Sequence, residues 1–430
     1  MKEQIVSNAN TTSSSTSHGM SDRRCWLFND GCWALTVLAL CLSGCATRGV
    51  GDRATLKDAF RRDFPIGVAV NERQFTGQDT NGVAIIVSQF NSISPENALK
   101  WESVHPRPGT NGYDFAAADA YVAFGEKYHL LIAGHTLVWH GQTPRWVFQD
   151  ENGRRLQGTN AADRALLLQR LHDHIRTVVG RYKGRIKIWD VVNEALSDGG
   201  SLTDTNILRQ RSPWVRILGP EFIVKAFEWA HEADPDAILR YNDYSIENEP
   251  KRKRLIELIK MLQARHVPVM AIGSQTHANL TWPSTELEDA ALTDIAKLGL
   301  PIHITELDVN ASQRGQRSQS ADVSENAQAG GGGVVDAANQ KLADQYCSLF
   351  RVFLKHRKDI QLVTFWGVTD RDSWRSSGNP LLFDRQGKPK KSFQAVIQTA
   401  SEAPKKRLTD SRCPDETRIV ALLPGNGEVW

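Results

Sequence analysis

Along this chain, short apolar runs alternate with longer stretches whose apolar positions recur every three or four residues, and the alternation begins near Leu56. Short runs with little internal polar alternation are the pattern of strands covered on both faces. Eight can be read: Ile66–Val70, Phe90–Ser94, Leu130–Val138, Ile186–Val192, Ala237–Asn242, Val267–Ser274, Ile302–Asp308 and Leu362–Val368. Amphipathic segments lie between them, at Phe115–Lys127, Ala161–Val179, Glu221–Glu232, Lys251–Arg265, Leu287–Leu298 and Asn339–His356. Asp114 and Pro220 stand where helix starts are expected. Strand and helix in turn predict βαβ units and a parallel sheet. Eight such units fit one closed (β/α)8 TIM barrel, a single α/β catalytic domain over residues 55–400. An open doubly wound sheet is the other arrangement, but no Gly-rich phosphate loop follows any strand.

Three stretches break the pattern. Residues 311–336 are rich in Gln, Ser and Gly, include Gly330-Gly331-Gly332-Gly333, and read as a flexible insertion after the seventh strand. Residues 401–430 form a tail with no evident element. At the other end, Arg23-Arg24, an apolar run from Cys32 to Leu42 and the tetrad Leu42-Ser43-Gly44-Cys45 make residues 1–44 a signal peptide. The run is too short to cross a membrane as a helix. The tetrad resembles a bacterial lipobox, which predicts cleavage before Cys45, a lipid on Cys45, and a short tether over 45–54. The expected place is then extracytoplasmic, as an outer-membrane lipoprotein or else periplasmic or secreted, with contact to the membrane only through that lipid. A plain signal peptide is the alternative, and a start at Met20 would shorten an unusually long leader.

Composition adds little to this outline. Hydrophobic content of 40% and charged content of 23% are ordinary for a chain with a large core. The net charge of +3 is too small to suggest a nucleic-acid partner. Only Cys347 and Cys413 fall in the body, so no disulfide framework follows.

The chemistry sits at the carboxyl ends of the strands. The fourth run ends on Asn193-Glu194, and the seventh carries Glu306 and Asp308. A glutamate does nothing for a strand, and at a strand mouth partial desolvation raises its pKa. Other strand ends deliver Glu96, Asn97 and Lys100; His135, Trp139 and Gln142; Tyr241-Asn242-Asp243-Tyr244; Gln275 and His277; and Trp366, Asp370 and Trp374. In a (β/α)8 barrel all these ends meet on one face, where active sites lie. Two carboxylates, several amides and aromatic platforms suit glycoside hydrolysis, in which one carboxyl protonates the leaving oxygen and the other attacks carbon or activates water. No His-x-x-x-His or clustered cysteines point to a metal, and no cofactor is expected.

The motifs Trp189-Asp190-Val191-Val192-Asn193-Glu194 and Ile304-Thr305-Glu306-Leu307-Asp308 resemble glycoside hydrolase family ten, the endo-β-1,4-xylanases. Glu96–Trp101, Gly134–His140 and Thr364–Asp370 agree in the expected order. The resemblance implies a retaining double displacement on xylan or xylo-oligosaccharides, with Glu194 as acid/base and Glu306 as nucleophile; a monomer is expected, though the sequence does not fix the oligomeric state. It assigns substrate binding to Glu96, Asn97, Lys100, His135, Trp139, Asn193, Gln275, His277, Trp366 and Trp374. It makes His277 and Asp308 supports of the nucleophile and places Tyr244 on the distal side.

Competing readings remain at this point. A mannanase or cellulase would share the chemistry, and a non-catalytic oligosaccharide-capturing protein would share the surface. Trp101, His140 and Asp370 read as packing residues, and Lys251-Arg252-Lys253-Arg254 as a solvated helix start.

Overall fold

The computed structural model describes residues 54–199, 206–312 and 332–402. The Leu42–Cys45 tetrad, residues 45–53, most of the 311–336 insertion, and the tail with Cys413 lie outside these residues. So do the expectations attached to them.

Nine strands form one parallel sheet: β1 Ile66–Val70, β2 Ser92–Pro95, β3 Leu131–Gly134, β4 Ile188–Asn193, β5 Ile238–Asp243, β6 Ala271–Ser274, β7 His277–Asn279, β8 Ile302–Asn310 and β9 Ile360–Phe365. β1 pairs with β9 and β6 with β8, so the ring closes. β7 is short and lies along the outer end of β8, with His277 opposite Asp308. The barrel proper therefore has the eight strands that the pattern predicts. The third is shorter than expected. The chain leaves the ladder after Gly134, where His135 turns onto Asp190, and then follows β4 through bonds of Thr136 and Leu137 to the Asp190 carbonyl and the bridge of Val138 with Val192.

Alternation along the strands divides the apolar residues in two. Leu131, Ala133, Ile188 and Leu362 form a small cluster inside the barrel. Their sequence neighbours, such as Ile132, Trp189 and Val363, join the large core beneath the helices. The long helix Ala161–Arg181 shows how that layer forms. Asn160 caps it by accepting from the amides of Ala162 and Asp163, and Leu167, Leu171, Ile175 and Val178 make its buried stripe.

Strict alternation would point Ile188, Asp190 and Val192 the same way. The register with β5 shifts between Asp190 and Val192, which is a bulge of one residue. A bulge re-aims the side chains that follow it, and Asn193 faces inward as a result. A second irregularity in β8, between Ile304 and Leu307, brackets Glu306.

Two sequence expectations need correction. The helix read as Asn339–His356 runs from Gly332 to Lys355 and so begins inside the stretch assigned to the insertion. Lys251–Arg254 does start a helix, Glu249–Ala264, but only Lys253 is solvated. Lys251 is buried between Asp198 and Asp243, each 2.8 Å away; Arg252 reaches Asp294 and the carbonyl of Glu247; Arg254 reaches the carbonyls of Ser197 and Gly199. A run of cations reads as solvent-facing by default, and these partners lie on other elements.

Candidate active site

The strand ends surround a cleft of about 460 Å³ lined by Glu96, Asn97, Lys100, His135, Trp139, Gln142, Asn193, Glu194, His277, Glu306, Trp366 and Trp374. Every predicted substrate-binding residue except Gln275 is on that wall. Gln275 is fully buried just beneath it and touches Glu194 and Asn193 instead.

Glu194 follows the β4 bulge with φ +57°, a left-handed conformation that costs a non-glycine residue energy and is kept where the surroundings demand it. Its amide donates to the carbonyl of Asn242, and its own carbonyl accepts from Arg209 Nε at 3.2 Å. These backbone bonds hold the carboxyl where Trp139 Nε1 donates to one oxygen at 2.9 Å and Gln275 Nε2 to the other at 3.1 Å. Burial raises its pKa, and the charges of Asp243 and Glu306 add to the rise, against the donors Gln275 and Trp139. Proton retention is thus favoured.

Glu306 meets a different environment. Asn242 Nδ2 donates to Oε1 at 2.8 Å, and His277 Nε2 lies 3.2 Å from Oε2. Asn242 cannot turn over, because the same amide group donates to Asn193 Oδ1 at 2.9 Å while its oxygen accepts from Thr305 Oγ1 at 2.7 Å. Gly273 leaves room for it, since a Cβ there would lie 2.3 Å from Asn242 Oδ1. Burial opposes a charged His277, but Asp308 and Glu306 outweigh it and lift the imidazole to about 9. Burial alone would raise Asp308; Arg375 at 3.0 Å and His277 at 3.1 Å bring it below the usual carboxylate range, and Trp374 Nε1 donates to it at 2.7 Å. The nucleophile-side carboxylate therefore leans on a cation that is itself held by a carboxylate.

On the opposite wall, Lys100 Nζ donates to Gln142 Oε1 at 2.7 Å and to Asn97 Oδ1 at 3.1 Å, and stands over the Trp139 ring. Burial lowers its pKa against the pull of Glu306, Glu194 and Glu96. Burial also pushes the Glu96 carboxyl up to about 7. Trp366 packs edge-on to His135, while Trp374 is 39% exposed, an unusual state for so large an apolar ring. Its open face over the cleft suits a sugar ring.

Trp101 stacks on His174 at 3.6 Å, and Asp370 pairs with Lys390, so both are packing residues as expected. Tyr244 is buried, with its hydroxyl bonded to Asp198 and Arg209, and does not line the cleft. The sequence placed Asn242 at the mouth of the barrel but gave it no role, although it stands opposite Asn193 in the β4–β5 register. Arg375, with no motif around it, gave no signal. Among the described residues, no group of three or more His, Cys, Asp or Glu side chains is placed to hold a metal.

Comparison with known proteins agrees with this geometry. Residues 55–399 match the family described as glycosyl hydrolase family 10. Endo-1,4-beta-xylanase A of a Caldicellulosiruptor species is 42% identical over 349 residues, covering 80% of this chain and 47% of that one, so the chain spans about half of that relative. Endo-1,4-beta-xylanase B of Paenibacillus barcinonensis is 39% identical, covering 80% of this chain and 97% of the other. An endoxylanase of the same family from sugarcane soil metagenome superposes with a TM-score of 0.72 at 38% identity, covering 80% and 99% of the two chains. With two buried glutamates facing one cleft at the mouth of a closed barrel, the chain belongs to glycosyl hydrolase family 10.

Proposed function

We propose that the protein is a retaining endo-β-1,4-xylanase acting on xylan or xylo-oligosaccharides. The observation that carries this is the split between the two glutamates. Glu194 is buried where its proton is favoured, while Glu306 receives a hydrogen bond from the Asn242 amide and faces the His277 imidazole at 3.2 Å. Glu194 protonates the departing oxygen while Glu306 attacks the anomeric carbon, giving a glycosyl ester with inverted configuration. Glu194, now ionised, takes a proton from water as that water displaces Glu306, and the second inversion restores the configuration. Asn193 is placed to hold a hydroxyl of the sugar at the cleavage point, and Trp366 and Trp374 wall that sugar. Their bulk crowds the position where a hydroxymethyl group would project, which favours xylose over glucose or mannose.

Proton NMR of the first product from unsubstituted xylan tests the mechanism: the β-anomer is expected first, and an initial α-anomer overturns it. Faster turnover on glucomannan or carboxymethylcellulose than on xylan would overturn the specificity. Glu194→Ala is expected to keep activity on aryl glycosides with good leaving groups while losing it on xylan. The Leu42–Cys45 tetrad supports export and lipid attachment, which labelling with a radioactive fatty acid, lost in Cys45→Ala, would test.

A further inference from the structure

A second concavity opens on the loop face of the barrel. It measures about 390 Å³ and lies between the 3-10 turn Arg145–Phe148, which follows β3, and the short helix Pro213–Leu218, which follows β4. Both segments connect a strand to the next helix, so this groove and the catalytic cleft are at the same end of the molecule. Phe148, Leu156 and Ile217 give it apolar walls, and Arg145, Arg155 and Arg216 stand exposed around them.

The three arginines differ from those beside them. Arg154 pairs with Asp150 and Asp163, Arg164 with Glu221, and Arg170 donates to three backbone carbonyls. Among the described residues, the guanidinium groups of Arg145, Arg155 and Arg216 make no ion pair and no hydrogen bond. Three like charges around one groove repel each other, and nothing in the fold requires them there.

We propose that this groove is an accessory site for carboxylate-bearing sugars, namely uronate side groups on the polysaccharide whose backbone occupies the catalytic cleft. The proposal rests on the polysaccharide-hydrolase reading of that cleft. A guanidinium fork matches a carboxylate in two-point geometry. Apolar walls beside a ring of donors suit the mixed surface of a sugar, and the volume is that of a small-ligand site. The groove also adjoins the catalytic wall. Phe148 packs edge-on against Trp214 at 5.0 Å, Trp214 Nε1 donates to the carbonyl of Trp139 at 3.0 Å, and Trp139 Nε1 donates to Glu194. A chain bound in the cleft thus holds its side groups at high local concentration near the groove, and a weak contact there is enough to matter.

The full chain carrying Glu306→Ala, which does not consume its ligand, is titrated calorimetrically with a neutral xylo-oligosaccharide and with a uronate-substituted one of equal backbone length. The acidic ligand is expected to bind in one 1:1 event several-fold more tightly than the neutral one, because its backbone and side group are held by the same protein molecule. Adding Arg145→Ala, Arg155→Ala and Arg216→Ala lowers its affinity to that of the neutral ligand and leaves the neutral ligand unchanged. In the otherwise unchanged enzyme the triple variant raises KM on uronate-substituted xylan roughly five-fold, with kcat and unsubstituted xylan unaffected. Arg216→Glu alone should weaken the acidic ligand selectively, which covers the case of an unstable triple variant. Equal affinity for the acidic and the neutral ligand, equal losses on both substrates, or binding of heparin as tight as that of the acidic oligosaccharide would overturn the proposal. Failure of the parent enzyme on unsubstituted xylan would instead overturn the reading of the cleft.

Discussion

Asp190 and Glu194 belong to one strand and its end, and both are almost fully buried, yet the molecule treats their charges in opposite ways. Burial alone would raise Asp190, but Arg240 grips both its oxygens at 2.7 and 2.9 Å, His135 adds a third bond, and the carboxyl is brought down to about 2. Arg240 reaches His303 as well, and burial together with that cation keeps the imidazole neutral, at about 3. Asp190 and His303 are thus each held in a single charge state at ordinary pH. At the mouth the donors to the two glutamates are amides, an indole and one imidazole, and no guanidinium reaches either carboxylate. Fixed charge needs a buried guanidinium; chemistry needs its absence.

The sharpest way to break this contrast is to remove a carboxyl from the mouth. Glu306→Ala should lower kcat on xylan by a factor on the order of 10⁴ while leaving the melting midpoint near that of the parent. Assays of reducing-sugar release alongside thermal melts check both halves, and turnover at parental rates would contradict the role of Glu306. Next comes the interior. Arg240→Met strands the Asp190 charge and should cost about 3–5 kcal/mol of stability in denaturant melts, while Arg240→Met with Asp190→Leu recovers most of it. An unchanged midpoint for the single variant would show that the interior pair is dispensable.

A third test concerns the imidazole beside Glu306. His277 is raised from 6.5 to about 9, so its contribution to stability is complete below pH 6.5 and is lost as pH climbs through 9. Urea melts between pH 6 and pH 9 should show a decline that His277→Gln flattens; equal declines would remove His277 as the cause. The smallest effect is expected for Trp139→Phe. Losing an indole donor that lowers the Glu194 pKa should move the basic limb of kcat/KM upward by less than about one pH unit. A downward shift would mean that the indole does not act through that bond.

Much of this site was legible because barrel geometry converts a one-dimensional signal into a three-dimensional one. A polar residue at the end of an apolar run becomes a residue at the mouth, whichever strand it is on. That is why Glu96, His135, Glu194, His277 and Glu306, scattered over more than half of the domain, could be gathered without coordinates. The reading failed where burial depends on partners from elsewhere. Lys251, Arg252 and Arg254 look like a solvated cluster until Asp198, Asp243 and Asp294 are brought beside them.

The order of apolar runs and the residues that close them determined the barrel, its polar face and the two candidate glutamates, because strand burial and strand direction are local consequences of composition and connection. Which way each closing residue points was settled only in the folded chain. The bulge after Asp190, the irregularity around Glu306, and the amide of Asn242 that reaches both Asn193 and Glu306 depend on register between strands far apart in sequence. Register is a property of pairs of strands, and no single stretch of sequence contains it.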